Sequence, residues 1–406
     1  MKLLIAIVGS VTACMLSMAQ PQISATASRF SNPQHVFTLR AEVLAGRAQA
    51  FDKGALLAAA NQVESAQEQL QSAIDTSQDL DEAYEARDLL ANMYVRNGMY
   101  QQAQEEIEAA LRLRPQGGDA KSMLPLTKAL SALPPTYVVS FQPTKLRIGA
   151  KSKALPLKLN GQDASFLFDT GANISVIGES EAKSLGLKTA HVNGTMGDSS
   201  GIGVSNLRVA LAKDLVIGGL HLKNVPFLVL DDRGEPWKSM PPNKRGIVGI
   251  PVLLAMRTIR WNPKGSFSFG FPSEALDLSN CNVLFSNSTP VVAVQVDGKP
   301  LEFTLDTGAV STDLNPAFAT SLPELTQSGK LEEHSIEGLG GKTVGASVVL
   351  PAVRLAFGGG EAVLKQAHVF TEHGNGTWAE GNMGTDVLSQ GSGFRLDFRA
   401  MKLHLD

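Results

Sequence analysis

The sequence predicts a multidomain chain, an N-terminal α-helical repeat followed by two all-β lobes of similar build. Three observations predict it. Residues 36–115 are rich in Ala, Glu, Gln and Leu at helical spacing. From residue 137 onward, strand-like alternation, Gly turns and Val/Leu/Phe runs take over. That second part also carries one pattern twice. With 406 residues the chain is too long for one ordinary core. Its 43% hydrophobic and 18% charged residues are those of a globular protein. A net charge of -3 and the lack of a long Lys/Arg run offer no basic surface for nucleic acid, so none is expected as a partner.

In chain order, the first element is an export signal. Met1-Lys2 is a short positive start, Leu3 to Val11 an apolar stretch, and Ser17-Met18-Ala19 a small-x-small site before Gln20. The apolar stretch is too short to cross a bilayer. A signal over residues 1–19 predicts a periplasmic or secreted protein. Val11-Thr12-Ala13-Cys14 also resembles a bacterial lipobox, and attachment to a membrane is expected only if Cys14 is lipidated. Of the two cysteines, Cys281 then stands alone, so no internal disulfide is expected. It reads as a small buried residue rather than a nucleophile.

In residues 36–115, Leu90, Ala91, Tyr94, Ala103, Ile107, Ala110 and Pro115 fall at fixed helical-hairpin spacing, with Gly98 at the turn. An upstream copy is weaker: Gly54, Leu57, Ala66, Leu70 and Ala73. The small residues let helices approach closely, and Pro115 stops the second one. The region resembles a tetratricopeptide unit of about two hairpins, with a generic helical bundle as the alternative. It carries no visible chemistry and is expected to recruit a protein partner or to brace the rest. Residues 116–136, with Gly117, Gly118, Pro134 and Pro135, read as a linker holding one possible helix.

The two lobes are expected over 137–275 and 284–406. At an offset of 306 − 169 = 137 residues, Asn160-Gly161 lies over Asp297-Gly298, Phe166 over Phe303, and Asp169-Thr170-Gly171-Ala172 over Asp306-Thr307-Gly308-Ala309. Asn-Gly and Asp-Gly favour two-residue hairpin turns, which need positive φ at both positions. Each lobe therefore reads as strand, tight turn, strand, then a loop opening with Asp. Further on, Ile247-Val248-Gly249 lies near the level of Asn382-Met383-Gly384. One Asp-Thr-Gly would be a weak signal; two in the same local setting are a strong one.

On these residues the part from 140 to 406 resembles the retropepsin-like and pepsin-like aspartic peptidases (acid proteases), whose lobes each carry an apolar strand, Asp-Thr/Ser-Gly and a later apolar-apolar-Gly element. The resemblance implies an aspartic-type endopeptidase acting without cofactor or metal, on a polypeptide held extended in a cleft between the lobes. Asp169 and Asp306 would be the catalytic pair. Two carboxylates held close cannot both ionise, so they share a proton and supply both acid and base. Thr170 and Thr307 would bond across the two loops, Gly171 and Gly308 would let the loops approach the carboxylates, and Gly249 and Gly384 would sit beside them. Ala172 and Ala309 offer no hydroxyl to the pair, which predicts a pH optimum less acidic than pepsin's. Glycine-rich segments at 194–203, with Gly194 and Met196, and at Gly338, Leu339, Gly340 and Gly341 are candidate flaps over the substrate.

Some positions depart from that family. Asn173 and Val310 stand where retroviral-type enzymes carry a carboxylate, so the two substrate-holding positions should differ. Pro251 replaces the Asn/Asp usual after the lobe-one glycine, whereas Asp386 is retained in lobe two. Gly340-Gly341-Lys342-Thr343 lacks the first glycine of a phosphate loop, Ile336 standing in its place. No His-Glu-x-x-His or Cys-x-x-Cys marks a metal site. Two other readings stay open: pairing of each lobe with a lobe of another chain, and a non-catalytic peptide-binding scaffold with inactive protease-like lobes.

Overall fold

The computed structural model describes residues 35–194, 207–233, 237–327, 329–338, 341–371 and 378–406. Six helices come first: α1 Val36–Leu44, α2 Ala50–Ala59, α3 Val63–Thr76, α4 Leu80–Arg96, α5 Tyr100–Leu113 and α6 Gly118–Ser131. The Asp79 carboxylate caps α4 by accepting from Asp81 N–H at 2.9 Å. Gly98 turns the chain from α4 into α5 at φ +72. Leu90, Ala91, Tyr94, Ala103, Ile107 and Ala110 are all buried between helices, as are Ala66, Leu70 and Ala73 upstream. A Cβ on Gly54 would meet the Leu70 side chain at 2.8 Å, so only glycine lets α2 and α3 come this close. The segment 116–136 is largely α6, buried on one side through Ala120, Thr127 and Leu130. Among the described residues no helix is long and apolar enough to cross a membrane.

Two β-rich lobes follow, each an eight-stranded sheet. The predicted hairpin turns form in both. Asn160-Gly161 has φ 50 and 82, and Asp297-Gly298 has φ 51 and 77. The turns set the registers Leu159↔Gln162 and Val296↔Lys299, which put Phe166 and Phe168 of lobe one and Phe303 and Leu305 of lobe two into the core. In lobe one the hairpin Arg208–Ile217 and Leu220–Leu230 closes the sheet on itself as a barrel. In lobe two the closing contact is the pair Gln295↔Ala356.

A third sheet has five strands, Thr144–Arg147, Ser266–Phe269 and Thr258–Asn262 from lobe one, then Phe394–Asp397 and Lys402–Leu405 from lobe two. Thr258–Asn262 and Phe394–Asp397 pair antiparallel across the lobe boundary. Phe168, Phe267, Trp261 and Phe394 form a continuous aromatic run over the junction, with centroids 5.0 Å apart for Phe168–Phe267 and 5.9 Å for Trp261–Phe394. The lobes thus share one hydrophobic core, which fixes the distance between their loops.

The helices are fastened to the lobes by buried polar contacts. Arg96 is 2% exposed, donates to Ala58 O, to Asn61 Oδ1 at 2.8 Å and to Asn287 O at 2.5 Å, and lies over the Phe285 ring. Burial pulls its pKa down to about 9. At the start of α1, Val36 and Phe37 N–H donate to the Glu302 carboxylate at 3.2 and 3.0 Å, so a lobe-two side chain caps a helix 265 residues upstream.

Candidate active site

Each Asp-Thr-Gly loop leaves the end of a core strand, Gln162–Phe168 in lobe one and Lys299–Leu305 in lobe two. Each strand lies parallel to a short later strand, Gly246–Val248 or Gly381–Met383. Asp169 N–H donates to Val248 O and Asp306 N–H to Met383 O, both at 3.0 Å. The structure brings Asp169 and Asp306, both half-buried, side by side.

Thr170 and Thr307 lock the loops together. Thr170 N–H donates to Thr307 Oγ1 and Thr307 N–H to Thr170 Oγ1, both at 3.0 Å. Each hydroxyl then donates to the opposite strand's carbonyl, Thr170 to Leu305 O at 2.7 Å and Thr307 to Phe168 O at 3.3 Å. Both threonines are buried, so these four bonds satisfy groups that water cannot reach. Gly171 and Gly308 make the approach possible: a Cβ on Gly171 would stand 2.7 Å from the Asp306 carboxyl, and one on Gly308 2.3 Å from Asp169 Oδ2. Gly171 and Gly308 N–H donate to Asp169 Oδ1 at 2.8 and 3.0 Å, and Ala309 N–H donates to Asp306 Oδ1 at 2.9 Å.

Gly249 and Gly384 sit beside the loops, where a Cβ would meet Ala172 O at 2.6 Å and Ser311 O at 2.3 Å. Ile250 N–H donates to Ala172 O and Thr385 N–H to Ala309 O, at 2.9 and 3.0 Å. Asn173 and Val310 are both exposed at the loop ends. Gly194 lies near α6, whose Pro125 a Cβ would meet at 3.3 Å. Gly338 ends the strand Lys330–Gly338, paired with Gly341 across the hairpin. Met196, Leu339 and Gly340 lie outside the described residues.

Four further residues join the site. Ser175 Oγ accepts from Gly249 N–H at 3.1 Å, and Thr312 Oγ1 from Gly384 N–H at 2.9 Å. These two stand 137 apart, so the repeat offset itself would have found them. Asn382 Nδ2 donates to Asp306 Oδ2 at 3.1 Å, while its Oδ1 accepts from Thr304 Oγ1 at 2.6 Å. Lys153 reaches across the lobes, Nζ donating to Gly308 O at 2.8 Å. Its counterpart in the repeat is Pro290, so no sequence signal marks it.

Burial and the neighbouring Asp306 carboxylate push the Asp169 pKa up to about 7, against the opposing pull of the Gly171 N–H and the Lys153 ammonium. Burial lowers the Lys153 pKa, the two aspartates partly offsetting it. The arrangement brings two carboxyls together, with the Asp169 pKa raised. Among the described residues no cluster of three or more His, Cys, Asp or Glu is arranged for a metal.

Residues 155–252 and again 292–387 match the family model described as Aspartyl protease. No curated protein matches the chain. Among solved structures, a retropepsin-like aspartic protease from Rickettsia conorii is 18% identical over 33% of this chain and 95% of its own, with a TM-score of 0.23.

Proposed function

From two lobes that each match the Aspartyl protease family model, we propose an aspartic endopeptidase whose water-activating pair is Asp169 and Asp306 of the same chain. The observation that carries this reading is the reciprocal Thr170/Thr307 lock, which holds the two carboxyls together without a second chain. Asp169, with its raised pKa, keeps the proton and polarises the scissile carbonyl oxygen. Asp306, oriented by Ala309 N–H and Asn382 Nδ2, takes a proton from the attacking water. Water oxygen bonds to the carbonyl carbon, and the proton on Asp169 passes to the carbonyl oxygen. The tetrahedral intermediate then breaks its C–N bond as the proton on Asp306 moves to the leaving amine. One hydroxyl proton of the intermediate returns to Asp169 as the carboxyl product forms.

The substrate is a polypeptide lying extended across the cleft. The helical region braces the lobes through Arg96 and Glu302. Its tetratricopeptide-like spacing suggests partner recruitment as a second role. Removal of residues 36–115 is expected to lower the lobes' Tm, and an unchanged Tm would leave recruitment alone. Residues 1–19 direct export; N-terminal sequencing of the mature protein should begin at Gln20, or at a lipidated Cys14 under the anchored version.

The test is cleavage of a mixed peptide library by the purified chain over pH 3–8, beside Asp169→Asn and Asp306→Asn. Cleavage by the parent and by neither variant supports the reading. A folded parent that binds peptide and cuts none would replace it with the non-catalytic scaffold.

A further inference from the structure

Lys153 starts on lobe one and ends on lobe two. It stands one position before the strand Ala154–Leu159, and hydrogen bonds fix its backbone there. Phe168 N–H donates to Lys153 O at 3.0 Å, and the Trp261 indole N–H donates to Ser152 O at 2.9 Å. The lysine is thus held opposite the residue that precedes Asp169. Its half-buried side chain crosses the lobe boundary, where Nζ donates to Gly308 O at 2.8 Å.

That carbonyl shares one planar peptide group with Ala309 N–H. Ala309 N–H donates to Asp306 Oδ1 at 2.9 Å. Ammonium, peptide and carboxylate therefore form a chain of two hydrogen bonds. A cation at the carbonyl end polarises the peptide and strengthens the bond at its N–H end. The repeat does not reproduce this chain: Pro290, 137 residues after Lys153, carries no side-chain donor.

The rows beside the aspartates differ in the same sense. Strand alternation places Leu167 on the Asp169 face of its strand and Thr304 on the Asp306 face of its own. Leu167 pairs with Ile247, and Ile247 with Val176. Thr304 pairs with Asn382, and Asn382 with Asp313. An apolar row disfavours charge on Asp169, whereas Asn382 Nδ2 gives Asp306 Oδ2 a second donor at 3.1 Å.

We propose that Lys153 is a positioning residue which, through the Gly308–Ala309 peptide, holds Asp306 as the ionised member of the pair and leaves the proton on Asp169. This deepens the peptidase reading and rests on it. The ammonium also acts through space on both aspartates, but the hydrogen-bonded route leads to Asp306. Asp313 and Asp386 add only negative charge on the lobe-two side, and His334 lies beyond them, 3.7 Å from Asp313.

Cleavage of one peptide is followed over pH 3–8 for the full chain, Lys153→Met and Lys153→Arg. The rate rises as Asp306 loses its proton and falls as Asp169 loses its own. Without the cation both carboxyls hold their protons more tightly, so both limbs should move to higher pH by about one unit in Lys153→Met. Lys153→Arg should keep them in place. Limbs that stay put or move down in a folded Lys153→Met, or that move as far in Lys153→Arg, would overturn the proposal. A lysine that only clamps the lobes would lower the rate alike at every pH.

Melting at pH 6 reads the same role without cleavage. Lys153→Met should lower Tm by about 1–2 °C more in an Asp169→Asn background than in Asp306→Asn, because only the first keeps the carboxylate at the end of the chain. An equal or reversed order would overturn the proposal. A parent that cuts nothing yet keeps this order would sink the peptidase reading and retain the lysine's hold on Asp306. Cleavage with the order reversed would do the opposite.

Discussion

Lobe one and lobe two bring the same loop to their junction and set different rows behind it. Asp-Thr-Gly-Ala, the hairpin turn and the later glycine coincide at an offset of 137 residues, and their hydrogen bonds coincide too. Leu167, Ile247 and Val176 stand against Thr304, Asn382 and Asp313. Lys153 stands against Pro290 and Asn173 against Val310. What must be symmetric is what both lobes build jointly, the carboxyl pair and its lock. What diverges is what each lobe builds by itself, the row of residues beside its own aspartate.

The comparison can be broken most severely at the aspartates. Asp169→Asn and Asp306→Asn should each lower cleavage by at least roughly 10²–10⁴-fold, since each removes an acid–base group. Loss in one variant only would mean the lobes do not share a site. Next come the glycines. Gly308→Ala puts a methyl 2.3 Å from Asp169 Oδ2, and Gly171→Ala puts one 2.7 Å from Asp306. Both should nearly abolish turnover and lower stability by about 1–3 kcal/mol by denaturant titration. A folded Gly308→Ala with normal turnover would contradict the loop geometry.

The threonines sharpen the comparison. Thr170→Val and Thr307→Val each strand one buried carbonyl and one buried N–H, a loss of about 1–3 kcal/mol per orphaned group. Thr170 should cost more, its bond to Leu305 O being 2.7 Å against 3.3 Å for Thr307 to Phe168 O. Equal losses in thermal melts would make the two halves of the lock equivalent. The pH profile comes next: with Asp169 raised to about 7, activity should fall above that pH as its proton is lost. A rate still rising at pH 8 would remove Asp169 from the acid's role.

The smallest effect lies away from the lobes. Asp88 in α4 is buried with Oδ1 unpartnered among the described residues, and burial, with Asp119 and Glu85 nearby, raises its pKa from 3.8 to about 7. Below the unfolded value both states hold the proton; between the two values only the folded state does. Stability from this group is therefore present at low pH and lost as pH rises toward 7. Asp88→Asn should raise Tm by a few degrees at pH 7.5 and leave it nearly unchanged at pH 4. A variant that melts lower at pH 7.5 would contradict the burial of this carboxyl.

Much of the site was legible because it repeats. The turn dipeptides dictate hairpins locally, and the hairpins set which face the phenylalanines bury. Ser175 and Thr312 were within reach of the same offset. Asn382 is visible as the repeat counterpart of Ile247, but its bond to Asp306 is not, because strand order is a long-range outcome. Residues 116–136 read as a linker with one possible helix, and α6 fills most of that span. Its Gly and Pro residues weigh against helix locally, and contact with lobe one through Leu126 and Leu130 outweighs them.

By itself the sequence determined the helical region, the two lobes and the pair of Asp-Thr-Gly loops, because turns, periodicity and repeats are local properties written along the chain. Only the tertiary structure decided that the loops meet through Thr170 and Thr307, that Lys153 and Asn382 touch them, and that the row beside Asp169 is apolar and the row beside Asp306 polar. Those contacts join residues more than 70 positions apart. Their geometry is set by how the shared core and the bridging sheet seat one lobe on the other, which no local pattern encodes.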